Sequence, residues 1–195
     1  MNIISGIAKG IRLEVPKGLA VRPTSVMARK SIFDSIRVFE KLTVVDLFSG
    51  AGSLGLEAAS RGALSVHFVD NSKLHCEILK TNIDKVVKAG VSATLKISRS
   101  DALKPHENLS EIAGKIDLIF ADPPYNESAD IVEKLLTNEA FARWATGALF
   151  VLEMPSELSR KPKLENIDLW TVKNSRKLGQ SVFVFLKVTK LDGTK

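Results

Sequence analysis

Five short apolar runs, 43–48 (TVVDLF), 65–70 (SVHFVD), 93–98 (ATLKIS), 116–122 (IDLIFAD) and 148–154 (ALFVLEM), alternate with stretches that read as helices at 53–61, 72–89 and 127–145. Strands that take turns with helices can bury both their faces only in a parallel, doubly wound α/β sheet. The alternation stops near the end, where 168–177 and 181–188 are two strands meeting at Gly179. Such a hairpin must add an antiparallel strand to the parallel sheet. The expectation is one mostly parallel seven-stranded sheet over residues 42–195, with helices on both faces. Residues 1–41 read as a small extension. Short extended segments around Gly6 and Gly10, closed by Pro16, predict a hairpin. A helix follows over 22–41, capped by Thr24 or Ser25, with Ile32, Ile36 and Phe39 along one stripe.

In a sheet of this kind ligands bind beyond the carboxyl ends of the strands. Four successive runs end in an aspartate: Asp46, Asp70, Asp101 and Asp122. After the first comes DLFSGAGSLG, in which Gly50, Gly52 and Gly55 fit the spacing of a loop that turns sharply and lets a ligand approach the backbone. Asp70 stands 20 residues beyond Gly50, where a carboxylate can accept from both hydroxyls of a ribose. The ligand is therefore read as a nucleoside derivative. A pyrophosphate on the helix N-terminus would meet the negative charge of Asp46. S-adenosylmethionine, with its ammonium and sulfonium, suits that acid better. Phe48 and Asn71 border the same loop ends, and Asp101 with the Ala102 N–H can face an adenine.

The fourth strand ends in ADPPYN, residues 121–126. An exocyclic amine on a base is a poor nucleophile because its lone pair is delocalised into the ring. Accepting both of its N–H bonds, through Asp122 and a nearby backbone carbonyl, frees that lone pair. Pro123 and Pro124 would hold those acceptors rigid, and Tyr125 offers a face for an extruded base to stack on.

Charge is uneven along the chain. Residues 1–41 hold eight Lys/Arg against three Asp/Glu, and residues 155–195 nine against four, while the middle carries a small negative excess. Basic ends about an acidic centre point to a polyanion held by the ends. The single cysteine, Cys76, excludes an internal disulfide and suits the cytoplasm. No apolar stretch approaches the roughly 20 residues of a membrane span. His67, His75 and His106 lack metal-ligand spacing, so no metal is expected.

Taken together, Asp46–Gly55, Asp70, Asp101 and Asp122–Tyr125 resemble the Rossmann-like class I S-adenosylmethionine-dependent methyltransferases that act on exocyclic amines. RPT (22–24), RKSIF (29–33), DLFSGAGSLGLEAASRGA (46–63), FADPPY (120–125) and KLGQS (177–181) resemble, more closely, the bacterial 16S rRNA guanine-N2 methyltransferases. That resemblance implies methyl transfer to one guanine in small-subunit rRNA, on an assembled or assembling particle; a monomer is the default expectation. The resemblance places Arg22 and Thr24 near the active-site mouth. Lys9, Arg12, Arg29, Arg176 and Lys177 join them as candidate RNA contacts. The chain departs from the family in having Lys30 after Arg29, where an acid is usual, and Val26-Met27 in place of an acidic–basic pair. Three other readings compete: an adenine-N6 or cytosine-N4 methyltransferase, an NAD-dependent oxidoreductase, and an RNA-binding module on a decayed enzyme fold. The first lacks room for a sequence-reading region. Asp46 and the absence of an apparent proton relay oppose the second, and the intact loop opposes the third.

Overall fold

Seven strands form one sheet in the order β3-β2-β1-β4-β5-β7-β6. They are β1 (Thr43–Leu47), β2 (Ser65–Val69), β3 (Thr94–Ser98), β4 (Leu118–Ala121), β5 (Leu149–Pro155), β6 (Trp170–Leu178) and β7 (Ser181–Val188). The first five are parallel; β7 runs antiparallel between β5 and β6, as the terminal hairpin requires. The computed structural model describes residues 1–16, 23–124, 128–156 and 167–189, with the side chains of 23–25 excepted. Arg22 and Tyr125, and the side chain of Thr24, lie outside the described residues.

Side chains alternate across each strand, and the sheet divides the core accordingly. Val44, Phe68 and Phe120 join Phe33, Phe39, Leu56 and Leu79 on one face, beneath α1 (Pro23–Ile36), α2 (Ser53–Ser60) and α3 (Lys73–Lys88). Val45, Ile119 and Phe150 join Leu135, Phe141, Trp144 and Trp170 on the other. That face carries α5 (Ser128–Thr137) and α6 (Glu139–Trp144), after the short α4 (Pro105–Asn108). Both indole N–H groups donate to backbone carbonyls, Trp144 to Leu109 and Trp170 to Leu136.

Two expected elements differ. The helical stretch 127–145 is two helices, because the Asn138 side chain accepts from the Phe141 N–H and starts a second one. The N-terminal hairpin is reduced to a single bridge, Asn2 with Arg12. Backbone bonds still close it, from the Ile3 N–H to the Ile11 carbonyl at 3.0 Å and from the Leu13 N–H to the Met1 carbonyl at 2.7 Å, and the residues between are bonded to α2. The Ile4 and Ser5 N–H groups donate to the fully buried Glu57 carboxylate at 2.7 and 3.0 Å. The Ile7 N–H donates to the Ser60 carbonyl at 2.8 Å and the Ala8 N–H to the Ser60 hydroxyl at 2.9 Å. Gly6 lies so close that a Cβ there would stand 1.9 Å from the Ser60 carbonyl oxygen.

The sheet order reverses between β1 and β4, since β2 and β3 lie on one side and β5 on the other. Leu47, Val69, Ala121 and Leu152 are in register at the carboxyl ends. Just past that line the strands open onto the candidate site.

Candidate active site

The glycine loop leaves β1 through three left-handed residues, Phe48 (φ 57), Gly50 (φ 53) and Gly52 (φ 84). Phe48 is not a glycine, and holding it there costs on the order of 1 kcal/mol or more. Gly52 and Gly55 are needed for space, because added Cβ atoms would stand 2.3 Å from Leu79 Cδ1 and from Phe68 Cε1. Gly50 differs: a Cβ there would meet nothing closer than 4.0 Å, so its outer face is open to a ligand.

Two aspartates hold this loop. Asp70 Oδ2 accepts from the Gly50 N–H at 2.8 Å, and Oδ1 from the Ser72 N–H at 2.9 Å. His75 Nδ1 lies 3.2 Å from both oxygens. The carboxylate expected to hold a ribose is thus also the pin that fixes the loop's shape. Asp46, 2% exposed, accepts from the Gly55 N–H at 2.8 Å. Burial, with the charge of Asp70, pushes its carboxyl up to about 8, against the pull of the Gly55 hydrogen bond. The Ser49 hydroxyl is buried with no hydrogen-bond partner. An open glycine face, an orphaned hydroxyl and a buried acid with no cation partner among the described residues fit S-adenosylmethionine. Farther along, Asn71 is exposed at the end of β2. Beyond β3, Asp101 is exposed and accepts from the Leu103 N–H at 2.9 Å, while Ala102 is buried.

Asp122 follows β4, with Pro123 buried and Pro124 exposed behind it. Its surface is open to solvent on the side of a pocket of about 40 Å³, shared with Arg29, Glu153, Met1, Leu54 and Phe183. On its other sides protein crowds it. That burial, then the charge of Glu153 and a hydrogen bond with it, then the charge of Asp46, hold its carboxyl well above the ordinary carboxylate range. Ser181 Oγ donates to Glu153 Oε1 at 2.6 Å. The site therefore holds two carboxyl groups side by side, with the charge of each opposing ionisation of the other.

Arg29, a candidate RNA contact, differs from the sequence expectation in its setting: it is 4% exposed rather than on the surface. The N-terminal segment covers it, and its Nη2 donates to the Asn2 carbonyl at 2.8 Å. Its Nε and Nη1 are buried without partners. Lys9, Arg12, Arg176 and Lys177 are exposed. Arg176 pairs with Phe183, which pairs in turn with Glu153, so Arg176 stands level with the carboxyl pair two strands away. It also reaches Ser31 Oγ on α1 at 3.3 Å. Among the described residues, no cluster of His, Cys, Asp and Glu is placed to hold a metal.

A family model matches residues 1–187. The chain belongs to the family described as conserved hypothetical protein 95. The ribosomal RNA small subunit methyltransferase D of Haemophilus influenzae is 30% identical over 128 residues, 65% of this chain and 64% of that one. YlbH of Bacillus subtilis, provisionally named an rRNA methyltransferase, is 34% identical over 128 residues, 65% of this chain and 68% of that one. A solved Escherichia coli structure, provisionally named the methyltransferase yhhF, superposes with a TM-score of 0.68 at 26% identity, covering 96% of this chain and 97% of that one. The fold is that of the class I methyltransferases.

Proposed function

We propose that the chain transfers a methyl group from S-adenosylmethionine to the exocyclic N2 amine of a guanine in 16S rRNA, as a cytoplasmic monomer acting on the small ribosomal subunit or its precursor. The observation that carries the reading is the Asp122–Glu153 pair, one strand from the glycine loop. The relatives named as small-subunit rRNA methyltransferases support the substrate class. S-adenosylmethionine supplies an electrophilic methyl group on a cationic sulfur. Gly50, Ser49 and the Asp46 carboxylate would hold it, with Asp70 fixing the loop. Asp122 and a neighbouring backbone carbonyl accept the two N–H bonds of the amine, which turns its lone pair toward the methyl group. Once methylated, the nitrogen would lose its surplus proton to the neighbouring Asp122 and Glu153 carboxyl groups, the demethylated cofactor leaving as the neutral thioether.

The test is transfer from tritiated S-adenosylmethionine to small subunits lacking the modification, to naked rRNA and to duplex DNA, followed by nucleoside digestion. Labelled N2-methylguanosine from subunits or rRNA is the expected product. Asp122→Ala should keep cofactor affinity within a few-fold and lose most of the label. Label in adenine, cytosine or DNA overturns the reading.

A further inference from the structure

Base choice is decided by the groups that meet the amine's neighbours. Guanine presents one edge as acceptor, donor, donor: O6, N1–H and the N2 amine. Adenine and cytosine place a ring nitrogen with a free lone pair beside their amine. One pocket here holds the complementary set. Asp122 is hydrogen-bonded to Glu153, so two carboxyl groups lie side by side at the ends of neighbouring strands. Arg29 faces the same pocket with two partnerless, buried guanidinium nitrogens. A space of about 40 Å³ admits the edge of a base rather than a whole purine, so the groups lining it meet that edge.

We infer that Glu153 is the residue that selects guanine, accepting its N1–H while Asp122 accepts the N2 amine and Arg29 donates to O6. This rests on the function proposed above. Guanine's two neighbouring donors match the two neighbouring carboxyl groups. A base with a lone pair next to its amine would instead turn it against the Glu153 oxygens, so rejection is built in alongside recognition. Ser181 steers Glu153 through the 2.6 Å hydrogen bond. Apart from the amine itself, the whole discrimination lies in groups that β5, β7 and α1 bring to the end of β4.

The test uses an rRNA fragment whose methylated nucleotide has been mapped by tritium labelling, prepared with guanine or with 2-aminopurine at that position. 2-Aminopurine keeps the amine but lacks N1–H and O6. Wild-type protein should prefer guanine by roughly 100-fold or more in kcat/KM, since losing designed hydrogen bonds costs that much or more. Glu153→Met, of similar length without acceptor oxygens, should cut guanine turnover roughly 10- to 100-fold and leave 2-aminopurine nearly unaffected, collapsing the preference. Glu153→Gln keeps a carbonyl acceptor and should recover part of it. S-adenosylmethionine binding and the thermal midpoint of each variant report folding. If guanine is methylated but the wild type shows no preference, or the folded Glu153→Met variant keeps the full preference, the inference is wrong and the proposed function stands. Label in adenine overturns both.

Discussion

Asp46 sits one residue inside the end of β1, and its carboxyl is pushed up to about 8 by burial. The fold therefore favours its neutral form. This stabilisation is complete below about pH 4, is lost as pH climbs through about 8, and is absent above that. A cationic ligand reverses the preference by favouring the carboxylate. Binding of S-adenosylmethionine at pH 7 should then release close to one proton, and its affinity should rise with pH until it flattens near 8. Calorimetry at pH 7 in two buffers of different ionisation enthalpy measures this directly. Asp46→Asn should abolish most of the release; an unchanged proton count would mean the ligand's charge is met elsewhere. The residues legible in the sequence were those whose position along one strand decides their place. Asp70 and Asp122 end their apolar runs and Asp46 stands near the end of its own, just before the glycine loop, and strand ends face the ligand. Glu153 ends nothing. It is an acid inside the apolar run ALFVLEM, and only the pairing of β4 with β5 sets it against Asp122. That lone charge was the available signal. The burial of Arg29 is not legible in the sequence, because helix cations are mostly exposed; the cover over it comes from residues 27 positions earlier.

At the scale of elements, α2 is the joint between the N-terminal segment and the site. Its Glu57 has no exposed surface and accepts from Ile4, from Ser5 and from Arg61 Nε at 2.8 Å. The Arg61 guanidinium in turn lies 4.9 Å from the centre of the Phe33 ring. Asn82 on α3 adds a second tie, donating to the carbonyls of Glu14 and Ala51, so the segment is also fastened to the glycine loop. Removing Glu57 strands three donors at once. Glu57→Ala should cost about 3 kcal/mol or more and lower the thermal midpoint by roughly 6–12 °C for a chain of this size. Faster proteolysis ahead of residue 14 would accompany it if the segment lifts off α2. A midpoint within two degrees of wild type would show that α2 holds without it. The hairpin expected from Gly6 and Gly10 is short but closed, by Ile3 N–H to Ile11, Gly10 N–H to Ile3 and Leu13 N–H to Met1, while the N–H groups of Ile4, Ser5, Ile7 and Ala8 bind α2. The terminal β6–β7 hairpin, by contrast, was readable, because two adjacent strands around Gly179 leave no crossover between them.

Over the whole molecule, the charge split acquires a geometry that composition alone does not give. The basic N-terminal segment lies on α2 and α1, and the basic β6 reaches α1 through Arg176 and Ser31. Cations from opposite ends of the chain are thus carried on elements that flank the same site. Register gives Lys177 its place: it pairs with Val182, which pairs with Met154, next to Glu153. If both ends hold one RNA, each phosphate contact releases about 0.7–0.9 counterion, and the contacts add in the salt dependence of binding. Lys9→Ala and Lys177→Ala should each lower the slope of log affinity against log salt by close to that amount, and together by about 1.5. Both side chains are exposed and neither belongs to the glycine loop, so S-adenosylmethionine affinity should stay unchanged in both. The measurement is RNA affinity at four or more salt concentrations for the wild type, the two single variants and the double. A slope altered only by Lys177 would confine the RNA to the β6 edge and make the N-terminal segment a structural cover over Arg29. Equal and additive changes would mean that the segment which buries Arg29 also grips the backbone of the nucleic acid, coupling RNA docking to the shape of the pocket that receives the base.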